Sequence, residues 1–217
     1  MRLLLFICAM SVSLVLLVCL QGQDMQDVTN EVKKRCDKMS SEDKQTRRRA
    51  TAELLWFRSE VSSQVREIMR KCATKPDPSW ESTTHLALQV LGRYRDEDAI
   101  PIIIGIIDYQ IDKSTVPAGD KLARSAYFPA AAALSEMGGQ YVAKSLVARL
   151  QKEENEKVIR ICVWTLFKVC GNDVAAFMLD DEATKHKDEK DEKVRQRLGK
   201  AKELLKEGDS LLPPPDK

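Results

Sequence analysis

Residues 87–92 read ALQVLG, and this short stretch decides the fold because its pattern recurs along the chain. A small residue is followed by a large one, two variable positions, a second large residue and a small one. The same order returns in residues 133–138 (ALSEMG) and 165–170 (TLFKVC), and a weaker copy lies at residues 53–57 (ELLWF). Each of the three stronger copies is followed within three to seven residues by a second apolar segment, at residues 99–103, 141–143 and 174–177.

The spacing of these copies predicts a series of helical hairpins. Their leucines at positions 54, 88, 134 and 166 are separated by 34, 46 and 32 residues. The longest interval contains residues 109–121, which have little periodicity and are predicted to form a loop. A unit of roughly thirty residues is typical of stacked helix pairs. Its small residues let neighbouring helices approach closely, and the closing Gly or Cys lets the chain turn into the second helix.

The ALxxLG ending, the acidic turn at residues 96–98 and the second apolar helix together resemble the short HEAT repeats of bacterial proteins. The resemblance covers residues 50–206 and is strongest over residues 82–179. It implies an all-α fold, an α-solenoid of about four HEAT-like helical hairpins with a helical N-terminal cap and a long C-terminal helix. It also implies a protein-binding surface without family-wide catalytic residues. Some HEAT-like bacterial proteins help to attach or isomerise tetrapyrroles, so an accessory subunit or a lyase-type enzyme is the alternative.

Helical periodicity and helix breakers set the expected boundaries of this domain, residues 24–208. Residues 42–72 form either one long helix or two helices with a break near residues 59–63. Further helices are expected at about 124–137, 140–152, 156–170 and 172–181. Residues 182–208 keep their apolar side chains on one face and predict a long amphipathic helix, whereas residues 209–217 end in PPPDK and predict a disordered tail.

The N-terminal 23 residues predict export. Arg2 precedes an almost unbroken apolar run of 18 residues, from position 3 to position 20. That length lies between a signal-peptide core and a membrane span, so a cleaved signal peptide and an uncleaved membrane anchor both remain open. In either case we expect the body of the protein to be periplasmic or extracellular, with an unknown protein partner in the cell envelope or outside the cell.

Charge argues against a nucleic-acid partner. The chain has 35 Lys and Arg residues against 33 Asp and Glu residues, a net charge of +2. Nucleic-acid-binding domains usually carry a strong basic excess on one face. The basic run at residues 47–49 lies between acidic residues and is interpreted as the solvated face of a helix.

Four cysteines follow the export segment, and the sequence predicts free thiols for one pair and a possible disulfide for the other. Cys162 and Cys170 lie about 12 Å apart along one predicted helix, too far for a disulfide, and are interpreted as buried free thiols. Cys36 and Cys72 could form a disulfide if residues 42–72 fold back on themselves, whereas a single straight helix would keep them apart.

The sequence offers little catalytic chemistry. Its two histidines, His85 and His186, belong to no metal-binding spacing, and no phosphate-binding glycine loop is present. We therefore predict no catalytic residue, no cofactor and no metal. The loop at residues 109–121 is the expected partner-contact region, because functional loops interrupt otherwise short connections. Its candidate contact residues are Tyr109, Asp112, Lys113 and Asp120.

Overall fold

The computed structural model describes residues 30–31, 34–35, 37–39, 41–55, 62–79, 82–116, 123–186, 188 and 191–215. Within them the chain is helical and contains no strand, so the all-α prediction is confirmed. The chain divides into two compact units, Met1–Val65 and Arg66–Lys217, which are described separately below. The export segment at residues 1–23 lies outside the described residues.

The first unit contains helix α1, Lys44–Leu55, and helical residues at 30–31, 34–35 and 37–39. Asp43 accepts a hydrogen bond from the Thr46 amide at 2.7 Å and caps the start of α1; this bonding lowers the pKa of its carboxyl. Arg35 Nε donates to Glu53 at 3.0 Å and joins the earlier helical segment to α1. Helix α2, Ser62–Ala73, runs across the division between the units. Residues 56–61, which hold most of the predicted break, lie outside the described residues.

The second unit contains the three stronger copies of the repeat. Each copy gives one helix, and a second helix follows it. The first helices are α3 (Thr83–Tyr94), α5 (Pro129–Met137) and α7 (Glu156–Cys170), and the second helices are α4 (Ile100–Gly105), α6 (Gly139–Leu150) and α8 (Asn172–Lys185). Their central leucines, Leu88, Leu134 and Leu166, are fully buried.

The helices contact one another in two rows. Helix α3 packs on α5 and α5 packs on α7, while α4 packs on α6 and α6 packs on α8. Helix α6 also packs extensively against α7, and between α7 and α8 the chain axis turns by 119°. Neighbouring copies therefore bury their apolar faces against each other.

The glycines of the repeat have two different roles. Gly92 lies inside α3, where a Cβ atom would come within 3.0 Å of Ala133 Cα on α5, so it permits close helix packing. The prediction that it lets the chain turn is wrong, because the left-handed residue after α3 is Arg95, with φ 50°. The later turns use Gly139 and Gly171, with φ of 84° and 78°.

A buried ion pair fixes the acidic turn after α3. Arg70 at the end of α2 donates from Nε and Nη2 to the two carboxylate oxygens of Asp96, at 2.9 and 3.0 Å. The Asp96 side chain is almost fully buried, and it precedes the short 3₁₀ helix Glu97–Ala99. A two-pronged pair of this kind fixes the orientation of both side chains.

The C-terminal region differs from its prediction. Helix α8 continues to Lys185, and helix α9, Glu192–Leu204, is followed by the 3₁₀ segment Leu205–Leu211, which is broken at Gly208 with φ 56°. The expected single long helix over residues 182–208 is therefore wrong. Within residues 209–217, for which disorder is expected, Leu211 and Leu212 are buried. The Leu211 carbonyl accepts a hydrogen bond from Arg160 and the Leu212 carbonyl accepts one from Arg124.

Candidate functional site

An open apolar groove of about 710 Å³ lies between helices α6 and α8, beside the end of α7. Its volume falls within the range of roughly 300–1,000 Å³ that is usual for ligand pockets. The lining is mostly apolar or small, with charged and amide side chains at the rim. The lining residues are Gly139, Gln140, Ala143, Lys144, Val147, Ala148, Gln151, Val169, Cys170, Val174, Phe177, Met178, Asp181, Glu182 and Lys185.

Helix α8 forms one wall of the groove because it has apolar residues on two faces. Ala175 and Leu179 are buried in the core. On the other side Phe177 is 69% exposed and Val174 is 50% exposed, and both line the groove. Scattered surface apolar residues are ordinary, but a groove with several of them marks an interaction site more often.

Small residues make the opposite wall. Gly139, Ala143 and Ala148 of α6 line the groove and leave its floor open. Ala143 and Val147 are both buried, whereas Ala148 lies at the exposed edge. The groove is thus the space that remains between small side chains on α6 and large ones on α8.

The α8 rim carries one cation, Lys185, and two carboxylates, Asp181 and Glu182. Lys185 Nζ lies 2.8 Å from Asp181 and 3.0 Å from Glu182, and these hydrogen bonds raise the pKa of its ammonium group. Gln151, at the end of α6, donates to Glu182 at 2.8 Å. The exposed Lys144 of α6 has no carboxylate within ion-pair distance in the part of the chain that the structure describes.

The Cys170 thiol lies at the groove. It is half-buried, it donates to the Leu166 carbonyl at 3.2 Å, and burial raises its pKa above the ordinary value. Cys162 is fully buried, which raises its pKa to about 12. Both thiols are free, and neither is activated, since a nucleophilic cysteine needs a lowered pKa or an adjacent base. The accessory-subunit or lyase-type alternative, which requires a reactive Cys or His in a pocket, stays a prediction.

The predicted contact loop is placed partly inside the protein. Tyr109 is buried; its hydroxyl lies 2.7 Å from Ser82 Oγ and donates to the Asp77 carbonyl, and burial raises its pKa. Asp112 accepts from the Ser114 amide at 2.8 Å and caps the 3₁₀ helix Lys113–Thr115; this bonding lowers its pKa. Tyr109 is therefore an internal anchor, whereas Lys113 is exposed.

Two of the predicted residues fall outside the described part. Asp120 of the loop and Cys36 of the possible disulfide are among them. Cys72 is half-buried on α2, and its pairing with Cys36 stays a prediction. Of the loop residues that the structure describes, 109–116, none lines the groove.

Neither histidine lines the groove. His85 is buried near the start of α3, where its amide donates to the capping Ser82 Oγ at 3.1 Å. His186 follows α8 and lies 3.7 Å from Glu182 and 3.5 Å from Asp191. Among the described residues there is no group of three or more His, Cys, Asp or Glu side chains that could hold a metal ion.

Sequence reasoning missed the groove because it treated residues 174–177 as one apolar segment and did not separate the faces of that helix. One signal was available: residues 174, 177 and 178 lie on a different helical face from residues 175 and 179. A helix that is apolar on two faces must bury both or leave one exposed.

Comparisons of this chain with protein-family models, with curated proteins and with solved structures gave no match. In the part of the chain that the structure describes, no single helix is long and apolar enough to cross a membrane, and α7 and α8 meet that criterion only as a bent pair.

Proposed function

We propose that this chain is a non-catalytic, exported interaction module, an α-solenoid of HEAT-like hairpins that binds a protein partner in the groove between α6 and α8. The observation that carries the proposal is Phe177, a large apolar side chain left 69% exposed at the edge of an apolar groove. Aromatic side chains, Phe among them, are enriched at the buried core of protein interfaces.

Two rows of consecutive helix contacts support the solenoid. The order α3, α5, α7 on one side and α4, α6, α8 on the other is the order that stacked hairpins would produce. In such a stack the second helices form a continuous surface, and the groove lies on that surface. Export is supported by the apolar run at residues 3–20, and N-terminal sequencing of the mature protein tests it.

The binding proposal is tested with two matched variants. Phe177→Asp places a charge at the groove edge, and Tyr141→Ser removes a second exposed aromatic, 51% exposed, on α6 outside the groove lining. Each tagged protein is captured from the cell envelope, and the recovered proteins are quantified by mass spectrometry. Because both side chains are exposed, neither change should alter the circular dichroism spectrum.

We expect one or more proteins to be recovered with the wild type and with Tyr141→Ser, and to fall at least about 10-fold with Phe177→Asp. Equal recovery with all three proteins would remove the groove from the proposal. The loop residues Asp112, Lys113 and Asp120 would then become the contact region to examine, and Lys113→Glu is the variant that tests it.

A further inference from the structure

The end of the chain lies against helix α7. Helix α9 passes into the 3₁₀ segment Leu205–Leu211, which is broken at Gly208 with φ 56° and ψ −126°, a backbone conformation that favours glycine. We call residues 209–215, which follow this break, the strap. Because the backbone changes direction at Gly208, the strap is a separate piece of chain laid on the repeat.

Two arginines hold the strap by its main chain. Arg160 of α7 donates from Nε to the Leu211 carbonyl, and Arg124, in the 3₁₀ helix before α5, donates to the Leu212 carbonyl, both at 3.2 Å. The side chains of Leu211 and Leu212 are buried. Main-chain hydrogen bonds that supply affinity and side-chain pockets that supply specificity are the two elements of peptide recognition.

The charges on the two sides of this contact are complementary. Lys168 of α7 lies 2.5 Å from Asp209 of the strap, and Arg160 also donates to Glu207, just before the break, at 3.3 Å. The one acidic residue of α7, Glu156, pairs with a lysine of α9. The surface under the strap is therefore cationic and favours an acidic segment over a basic one.

The hold on the strap is weak enough to be reversible. The Asp209 side chain is 75% exposed and that of Lys168 is 37% exposed, and ion pairs exposed to this degree contribute little. Leu211 and Leu212 are the buried side chains of the strap. Burial of two leucines is opposed by the conformational entropy lost when seven residues are ordered. Segments with so few buried contacts are those that open locally in a folded protein.

We infer that the outer face of α7, together with Arg124, is a binding site for an extended, acidic segment with two adjacent leucines, and that the strap is its intramolecular ligand. A partner segment of the same chemistry reaches the site when the strap swings away about Gly208. Neither Arg124, Arg160 nor Lys168 lines the groove between α6 and α8. The inference therefore goes beyond the proposed function and does not depend on it.

The test asks whether the strap sequence binds when it is supplied as a separate molecule. The probe is a fluorescein-labelled peptide of residues 208–217, GDSLLPPPDK, and the control peptide carries Leu211→Ser and Leu212→Ser. The same two substitutions in the whole protein give a variant whose own strap is undocked. Fluorescence anisotropy measures the affinity of each peptide for the wild type and for this variant, and circular dichroism at 222 nm checks that the variant is folded.

We expect the probe to bind the undocked variant at least about 10-fold tighter than the wild type, because a tethered strap competes at a high effective concentration. The control peptide should bind the variant at least about 10-fold more weakly than the probe does. Adding Arg160→Ala to the variant should weaken the probe about 5-fold through loss of the bond to the Leu211 carbonyl. Adding Arg93→Ala instead should leave the affinity unchanged, because Arg93 is an exposed arginine that pairs with Glu136 of α5.

A folded variant that binds neither peptide, or binds both equally, would overturn the inference and leave the strap as ordinary terminal packing. Equal affinity of the probe for wild type and variant would overturn its role as an intramolecular ligand. If the variant does not fold, Asp209→Lys takes its place: it sets a like charge beside Lys168, keeps both leucines, and should raise the affinity for the probe at least about 3-fold. An unchanged affinity there would also refute the inference.

Discussion

Replacing Gly92 by alanine tests the close packing of the repeat. The new Cβ would lie 3.0 Å from Ala133 Cα, 3.2 Å from Ala133 Cβ and 3.3 Å from the Ala133 carbonyl oxygen. Comfortable carbon–carbon contacts are about 3.5–4.0 Å, so α3 and α5 must separate by several tenths of an ångström. Two of the three atoms belong to helix backbone and cannot rotate away.

Two opposing effects decide the sign of this change. Alanine in a helix interior is favoured over glycine by about 1 kcal/mol, while overpacking a well-filled core costs about 1–3 kcal/mol. Taking about 2 kcal/mol for the contact, we expect Gly92→Ala to lower the free energy of unfolding by about 1 kcal/mol. Gly199→Ala is the matched control, because Gly199 lies inside α9 and a Cβ there meets nothing within 4 Å.

The assay is urea unfolding of the protein followed by circular dichroism at 222 nm. Gly199→Ala should raise the free energy of unfolding by up to about 1 kcal/mol, so the two variants should differ by about 2 kcal/mol. If Gly92→Ala stabilises the protein as much as Gly199→Ala does, α3 and α5 do not approach as closely as the structure places them, and the small-residue argument for the repeat is refuted.

Three further perturbations probe the same unit. Asp96→Ala should lower the free energy of unfolding by about 2–3 kcal/mol. This is less than the full cost of breaking a buried ion pair, because Arg70 is partly exposed and keeps other carboxylates nearby. Chemical denaturation measures the change, and a value under about 0.5 kcal/mol contradicts the prediction. Tyr109→Phe should cost about 1 kcal/mol in the same assay through loss of its buried hydroxyl bonds, while an unchanged stability would mean that the hydroxyl is not an anchor. Burial raises the pKa of both the Cys170 and the Cys162 thiol, so native Cys170 should react with iodoacetamide more slowly than a free thiol at pH 8 and faster as the pH rises. Cys162 should react only after unfolding. Peptide mapping that finds Cys162 modified in the native protein contradicts the prediction.

The repeat pattern was sufficient to place the central helices. Leu88, Leu134 and Leu166 are fully buried as the pattern requires, and α7 spans the predicted residues 156–170. The helix expected at about 124–137 is present only from Pro129 onward, while residues 124–127 form a 3₁₀ helix, because a proline disfavours α-helix in the residue before it. These elements could be predicted because local periodicity and helix breakers determine them.

The C-terminal break depends on tertiary contacts that periodicity does not contain. Residues 182–208 keep a regular apolar face, yet the chain leaves the helix after Lys185 and re-enters it at Glu192. Arg195 of α9 donates to the carbonyls of His186 and Asp188, at 2.6 and 2.9 Å, and holds the connecting segment in place. A single straight helix could not return α9 onto α8, where the two helices pack.

The role of a repeat residue likewise depends on its neighbour and not on its position in the motif. Gly92 and Gly138 occupy the same motif position, but Gly92 is helical and faces Ala133, whereas Gly138 leaves the helix with φ 61°. In the third copy the corresponding residue is Cys170, and the turn moves one residue on to Gly171. Sequence shows that a small residue is needed, and only the packing shows whether the reason is contact or turning.

The same size argument explains why the groove exists at all. Where α3 meets α5, small residues on both sides let the helices close together until no space remains. Where α6 meets α8, small residues such as Ala143 face large ones such as Met178, and Phe177 points to solvent. Helices separated by large side chains on one wall cannot close over small ones on the other, so a valley stays open along their length. An apolar valley of this kind is favoured to be covered by a partner, so replacing the exposed Phe177 should change binding without changing folding.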